Sequence, residues 1–277
     1  MTHRLEVLVV LLAVGGVGCM GLDTDPADTP EVVAEEEGGK LDGAGNLDGW
    51  STFQTGMAHR STEAGDGVFI AYGGYGATSL HVQSWIEALR AARLDAMSFG
   101  HLYAVKGPRD AGYNARELPN SKLTAQLLEE HAAASRIVIV AHSSGCYPAH
   151  EILAQLRRKD ATVLGKVSYF DLDGGDAGLP ADTIEALAAM RFVYARDPDV
   201  GVSRNGWLME SDGERFAAQG AKSIAIDASE AGCATRNCLH DAVITSRPHD
   251  PDRFNVALDY TDFDGRSVVT AYLADVP

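Results

Sequence analysis

Positive charge is scarce in this 277-residue chain. Lys and Arg number 23 against 39 Asp and Glu, giving a formal net charge of −16. A surface that acidic repels phosphate backbones, which excludes nucleic acid as a partner on electrostatic grounds. Long apolar runs are scarce too, and the stretch from Val7 to Val14 is too short to span a bilayer. Cysteine occurs at four positions only. No internal repeat and no second domain can be read from the chain. What is present is a hydrophobic content of 45%, enough for one sizeable core.

The front of the chain reads as a targeting segment. Arg4 supplies a thin basic region, Val7 to Val14 the apolar one, and Gly15-Gly-Val-Gly-Cys19 follows. This resembles the lipobox of bacterial lipoproteins, which implies that Cys19 is lipidated and that residues 1–19 are a signal segment. The expected location is the cell envelope, through an outer-membrane anchor, or else secretion. Residues 20–49 hold nine Asp and Glu against one Lys, with Pro26, Pro30 and several Gly. A segment with so little to bury does not offset its ordering entropy and reads as a disordered acidic tether. Within it, Asp42-Gly-Ala-Gly-Asn46-Leu-Asp48-Gly49 has only a weak likeness to a calcium loop, and a Gly-rich linker is the plainer reading. Residues 50–277 form the expected domain.

Short apolar runs without clean alternation, as in strands covered on both faces, occur at Val68–Tyr72, Ala96–Gly100, Ile137–Ala141, Val167–Leu172, Arg191–Ala195 and Ser223–Asp227. Helical patterns lie between them at Leu80–Arg93, Leu123–Ala134, Tyr147–Lys159 and Ala181–Met190. Pro148 is tolerated in the first turn of the third. Strand alternating with helix predicts an α/β fold with a doubly wound, mostly parallel sheet and helices on both faces. From Thr245 onward the pattern is irregular.

One of those strands stops abruptly. Ile137 to Val140 runs into Ala141-His-Ser-Ser-Gly145, a small-x-Ser-x-small pentapeptide followed at once by an amphipathic helix. That is the sequence of a nucleophile elbow, with Ser143 held on a strained turn. A serine hydroxyl is a poor nucleophile and needs a base, itself oriented by a carboxylate, in the chain order Ser, acid, His. The acid belongs on a loop at the carboxyl end of a later strand. Asp197, in Asp197-Pro-Asp-Val200, is the favoured candidate. Asp199 is the near alternative, and Asp171 and Asp173 are the distant ones. His240 follows the last clear strand and opens an apolar run, which makes it the candidate base ahead of His142, His150 and His249.

Oxyanion donors are expected from the backbone of Ser144 and from the glycine loop Tyr72-Gly-Gly-Tyr-Gly76, at Gly74 and Tyr75. In an exported protein, Cys233 and Cys238 form a plausible disulfide that stiffens the loop before His240. Cys146 reads as a buried small side chain. Trp207, Leu208 and Met209 are candidates for an apolar wall of the pocket.

Taken together, Tyr72–Tyr75, Ala141–Gly145, Asp197–Val200 and His240–Ile244 resemble the α/β-hydrolases, nearest the small lidless bacterial lipases and esterases. The likeness runs from about Val68 to Ile244. It departs from that pattern at Tyr72, where a His is usual, and in the longer tail after Ile244. The resemblance implies an α/β-hydrolase fold without a cap domain and an acyl-enzyme on Ser143. It also implies a small-molecule or lipid ester substrate, no metal or organic cofactor, and a monomer. A non-catalytic binding module, or an acyltransferase on the same fold, is the alternative.

Overall fold

The computed structural model describes residues 45–92, 99–108, 120–175, 178–248 and 268. The expected signal segment, Cys19 and most of the tether lie outside them, as do His249 and nearly all of the tail.

The chain opens with a hairpin, β1 (Ser51–Gln54) and β2 (Met57–Ser61). It continues through β3 (Gly67–Tyr72), α1 (Ser79–Ala92), β4 (Phe99–Val105), α2 (Ser121–Glu129), β5 (Ile137–His142) and α3 (Cys146–Asp160). Then come β6 (Val167–Leu172), α4 (Ala181–Ala186), β7 (Ala189–Asp197), the short β8 (Gly201–Val202), α5 (Gly206–Arg215), β9 (Ala221–Asp227) and α6 (Arg236–Ala242).

The strands form one sheet in the order β1-β2-β4-β3-β5-β6-β7, with β8 and β9 both pairing with β7. β4, β3, β5, β6, β7 and β9 are mutually parallel, and β1, β2 and β8 pair antiparallel. The doubly wound, mostly parallel sheet expected from the sequence is the one observed.

Each central strand is buried on both faces, so the twofold alternation of its side chains sorts them between two cores. Phe69 and Ala71 of β3, Val138 and Val140 of β5, and Phe170 and Leu172 of β6 pack on one side with Trp85, Ile86 and Leu89 of α1 and Leu239 and Ala242 of α6. Val68, Ile70 and Tyr72, Ile137, Ile139 and Ala141, and Tyr169 pack on the other. There they meet Leu123 and Leu127 of α2, Met209 of α5, and Ala149, Ile152, Leu153 and Leu156 of α3. The α3 residues recur at the three- and four-residue spacing of a single helical stripe. That parity decides which helix each polar residue at the end of a strand will meet.

Several boundaries differ from the sequence reading. β4 runs Phe99–Val105 rather than Ala96–Gly100, because His101 and Tyr103 interrupt the apolar pattern yet lie in a ladder with β2 and β3. The helix expected over Ala181–Met190 ends at Ala186, and Ala189 already belongs to β7. The hairpin β1–β2 carries too many polar residues to register as strand from sequence.

The last residues assigned to the tether are also placed. The Leu47 amide donates to Gln83 Oε1 at 2.8 Å, Gln83 Nε2 donates to Asn46 Oδ1 at 3.0 Å, and Leu47 packs on the core. Asn46 is thus engaged with α1 and Thr52.

Candidate active site

β5 lies between β3 and β6, with Ala141 opposite both Tyr72 and Asp171. At its carboxyl end the chain turns sharply. Ser143 has φ +53°, in the left-handed region, which costs a side-chain-bearing residue roughly 1–2 kcal/mol. Among the described residues other than glycine, Asp173 alone shares that region, at φ +47°. Ser143–Gly145 then makes one tight turn that runs directly into α3.

Gly145 is required by packing. A Cβ there would fall inside contact distance of the Gly73 carbonyl oxygen and 2.9 Å from that of Tyr72. The elbow therefore sits backbone to backbone against the glycine loop after β3. Gly107, after β4, makes a similar approach to the Gly74 carbonyl. Tyr75 is half exposed.

Tyr72, at the position where the resembled family carries His, points to the α2–α3 side. Its hydroxyl donates to Asn120 Oδ1 at 3.0 Å, and Asn120 Nδ2 donates to the Pro148 carbonyl at 2.7 Å. Burial raises the Tyr72 phenol well above its usual range, so it stays neutral and ties the start of α3 to the sheet.

His240 lies in α6. Thr235 caps this helix, its hydroxyl accepting from the Cys238 amide at 3.1 Å. The Cys233–Cys238 disulfide expected from the sequence is present and joins the preceding loop to the first turn. His142, next to Ser143, has the parity of Val138 and Val140 and so faces α6. Its Nε2 lies 3.1 Å from the His240 carbonyl, and the two rings are 4.6 Å apart. Complete burial, then the neighbouring His240, holds the His142 pKa well below 6.5. A neutral His142 with its proton on Nε2 donates to that carbonyl and anchors the helix carrying His240 beside the elbow.

His240 Nδ1 lies 2.5 Å from Asp173 Oδ2. The partner of the imidazole is therefore Asp173, and the choice of Asp197 is corrected. Asp197 Oδ1 accepts from the amides of Asp199 and Val200, at 2.7 and 2.9 Å, and closes its own turn. Asp199 is exposed. Asp173 is fully buried and well supplied with donors. Ser203 Oγ donates to its Oδ1 at 2.6 Å and the Asn205 amide to its Oδ2 at 3.2 Å, while Asn205 Nδ2 donates to its carbonyl at 2.8 Å.

The physical reason lies in the sheet order. Asp173 leaves β6, the neighbour of the elbow strand, whereas Asp197 ends β7, one strand spacing further away. Sequence reasoning missed Ser203, Asn205 and the anchoring role of His142. The signal available for Asp173 was its place just past the last paired residue of β6, followed by two glycines.

Asp171, the remaining alternative, faces the opposite side. Its carboxylate is buried near His150 of α3, with Nε2 and Oδ2 3.5 Å apart, and its Oδ1 accepts from the Gly174 amide at 3.0 Å. Burial raises its pKa, and His150 moderates the rise. Cys146 is buried, and its Sγ accepts from the Gly175 amide at 3.3 Å. Met209 is core, Leu208 is partly buried, and Trp207 is exposed. Among the described residues, no group of three or more His, Cys, Asp or Glu is arranged to hold a metal ion. Likewise, no helix among them is long and apolar enough to cross a membrane.

No family model and no curated protein matches the chain. Solved structures with partial likeness include carboxyl esterase 2 from the fungus Tuber melanosporum, at 12% identity over 62% of this chain and 71% of that one, with a TM-score of 0.45. A CIB-like hydrolase from Thermoplasma acidophilum matches at 13% identity over 65% and 83%, with a TM-score of 0.39. A hormone-sensitive lipase from a metagenome library matches at 12% over 66% and 77%, with a TM-score of 0.41.

Proposed function

We propose that this chain is a serine hydrolase that cleaves carboxylic esters through an acyl-enzyme on Ser143. The observation that carries the reading is the buried imidazole–carboxylate couple of His240 and Asp173, with His240 against His142, the residue before the strained Ser143 at the carboxyl end of β5. Asp173 accepts the Nδ1 proton of His240, which leaves Nε2 as the base. Nε2 takes the Ser143 hydroxyl proton as Oγ bonds the ester carbonyl carbon. The tetrahedral intermediate collapses with loss of the alcohol, to which the imidazolium returns the proton. Water then repeats the sequence and frees the acid.

The backbone amides of Ser144 and of the Gly74–Tyr75 loop are assigned to the oxyanion, since Gly145 and Gly73 bring those two segments together. The route needs neither metal nor organic cofactor. Exposed Tyr75 and Trp207 supply apolar surface for a small-molecule or lipid ester. The disulfide fits an exported protein, and with it a lipid anchor at Cys19. Cys19→Ser then releases the protein from the membrane fraction, and unchanged membrane association refutes the anchor.

A fluorophosphonate probe tests the central claim. The wild type is expected to label and to hydrolyse p-nitrophenyl esters, and Ser143→Ala to do neither. A wild type that fails to label, or equal labelling of Ser143→Ala, rejects the proposal.

A further inference from the structure

Directly after the elbow strand's partner β6, the chain holds Asp173 in left-handed backbone without a glycine's freedom. Besides Ser203 and Asn205, a second set of contacts to its loop lies on the other side of the sheet. Asp171 is the last residue of β6 whose side chain faces α3, sharing the parity of Tyr169, while Phe170 and Leu172 face α6. Its carboxylate is 1% exposed. One oxygen receives the Gly174 amide, the residue directly after Asp173. The other lies 3.5 Å from His150 Nε2, on the helix that the elbow begins.

Gly174 has no room for anything larger. A Cβ there would collide with that same Asp171 oxygen and stand 2.9 Å from the Cys146 Cβ. His150 is itself buried, its ring edge-on to Tyr169 at 5.3 Å. The nucleophile's helix and the acid's loop thus meet at the same buried carboxylate, the loop by a hydrogen bond and the helix by the close approach of His150.

We propose that Asp171, held by His150, is the positioning residue for Asp173, fixing the acid loop against the elbow helix so that the Asp173 carboxylate meets His240 Nδ1. This rests on the reading of Ser143, His240 and Asp173 as a triad. The work is done by the acceptor oxygen toward Gly174, and an amide oxygen serves as well as a carboxylate. Burial raises the Asp171 pKa, and His150 beside it moderates the rise. The Asp173 charge adds to that rise, because a neighbouring like charge disfavours the ionised form.

The test compares Asp171→Ala with Asp171→Asn. The alanine variant loses the acceptor and is expected to lower kcat about 10- to 100-fold with KM little changed. The acid limb of its kcat/KM profile should move to lower pH, because a displaced Asp173 stabilises the His240 imidazolium less. Asp171→Asn restores both. A merely structural role would lower thermal stability without moving that limb.

The downfield proton resonance of the His240–Asp173 bond, assigned by its loss in His240→Gln, reports the same geometry without turnover. It should shift or broaden in Asp171→Ala and persist in Asp171→Asn. Gly174→Ala, which displaces the same oxygen from the opposite side, should perturb it alike and covers an alanine variant that fails to fold. An unperturbed resonance and limb in Asp171→Ala or Gly174→Ala overturns the proposal, and so does an Asp171→Asn as impaired as the alanine variant. If the wild type neither labels nor turns over esters, the hydrolase reading falls, while the resonance still decides the role of Asp171.

Discussion

His142 and His240 are 98 residues apart in sequence, yet the ring of one donates to the backbone carbonyl of the other, across 3.1 Å. The contact exists because His142 carries the parity of the β5 residues that face α1 and α6. It joins β5, which ends at the proposed nucleophile, to α6, which carries the proposed base, and Asp173 joins His240 to β6.

Exchanging the acid should discriminate sharply between the two aspartates. Asp173→Asn retains shape but stabilises the wrong imidazole tautomer, and is expected to lower kcat by about 10³- to 10⁴-fold. Asp197→Asn should stay within about threefold of wild type, since its carboxylate only closes the Asp197–Val200 turn. Turnover of a p-nitrophenyl ester decides, and the reverse ranking would restore Asp197.

Replacing His142 by Phe keeps the ring against His240 but leaves the His240 carbonyl buried without its donor. The expected loss is about 1–3 kcal/mol of stability, measured by urea unfolding, together with a lower rate of fluorophosphonate labelling. A variant as stable and as reactive as wild type would show the contact to be incidental.

Gly145→Ala forces a methyl group against the carbonyls of Gly73 and Tyr72, neither of which is a flexible side chain. Overpacking of this kind costs about 1–3 kcal/mol. Because it pushes the glycine loop from the elbow, labelling should fall more steeply than stability. Equal falls would mean that the loop carries no oxyanion donor.

Acid should weaken the edge of the sheet near β2. His59 Nε2 and His101 Nδ1 are 3.3 Å apart, His131 Nε2 lies 2.8 Å from the Tyr103 hydroxyl, and the rings of His101 and His131 are 4.2 Å apart. Burial, then the other histidines, lowers the pKa of His131 to about 4 and that of His59 below 6.5, with Glu130 opposing.

A histidine depressed in the folded state takes up more protons when unfolded. Its contribution is complete above pH 6.5 and is lost as pH falls toward 4. The urea midpoint should therefore drop over that range, and His131→Gln should flatten the drop. An identical slope in wild type and variant would remove the cluster from the account.

Some features were legible in the order of residues. The abrupt stop of Ile137–Val140 on Ala141-His-Ser-Ser-Gly145 is a local pattern. His240 was reachable because chain order and its place after the last clear strand, opening an apolar run, are sequential facts. The same is true of the cysteine pair five residues apart. The hairpin β1–β2 was not legible, since its polar strands are held by partners outside themselves.

The acid shows the boundary most clearly. Asp171, Asp173, Asp197 and Asp199 all sit near or just past strand ends, and their neighbours ranked them wrongly, the Asp197-Pro-Asp-Val200 pattern outweighing the two glycines after Asp173. The correct ranking follows from three things absent from a linear pattern. β6 rather than β7 lies beside β5, the parity of β6 sends Asp171 to His150, and Ser203 and Asn205 arrive from 30 and 32 residues away to hold Asp173. The sequence by itself determined the alternation of strand and helix, the serine's turn and the histidine. The tertiary structure decided which carboxylate meets that histidine, because hydrogen bonds and burial are set by distance in space, and sheet order converts one into the other.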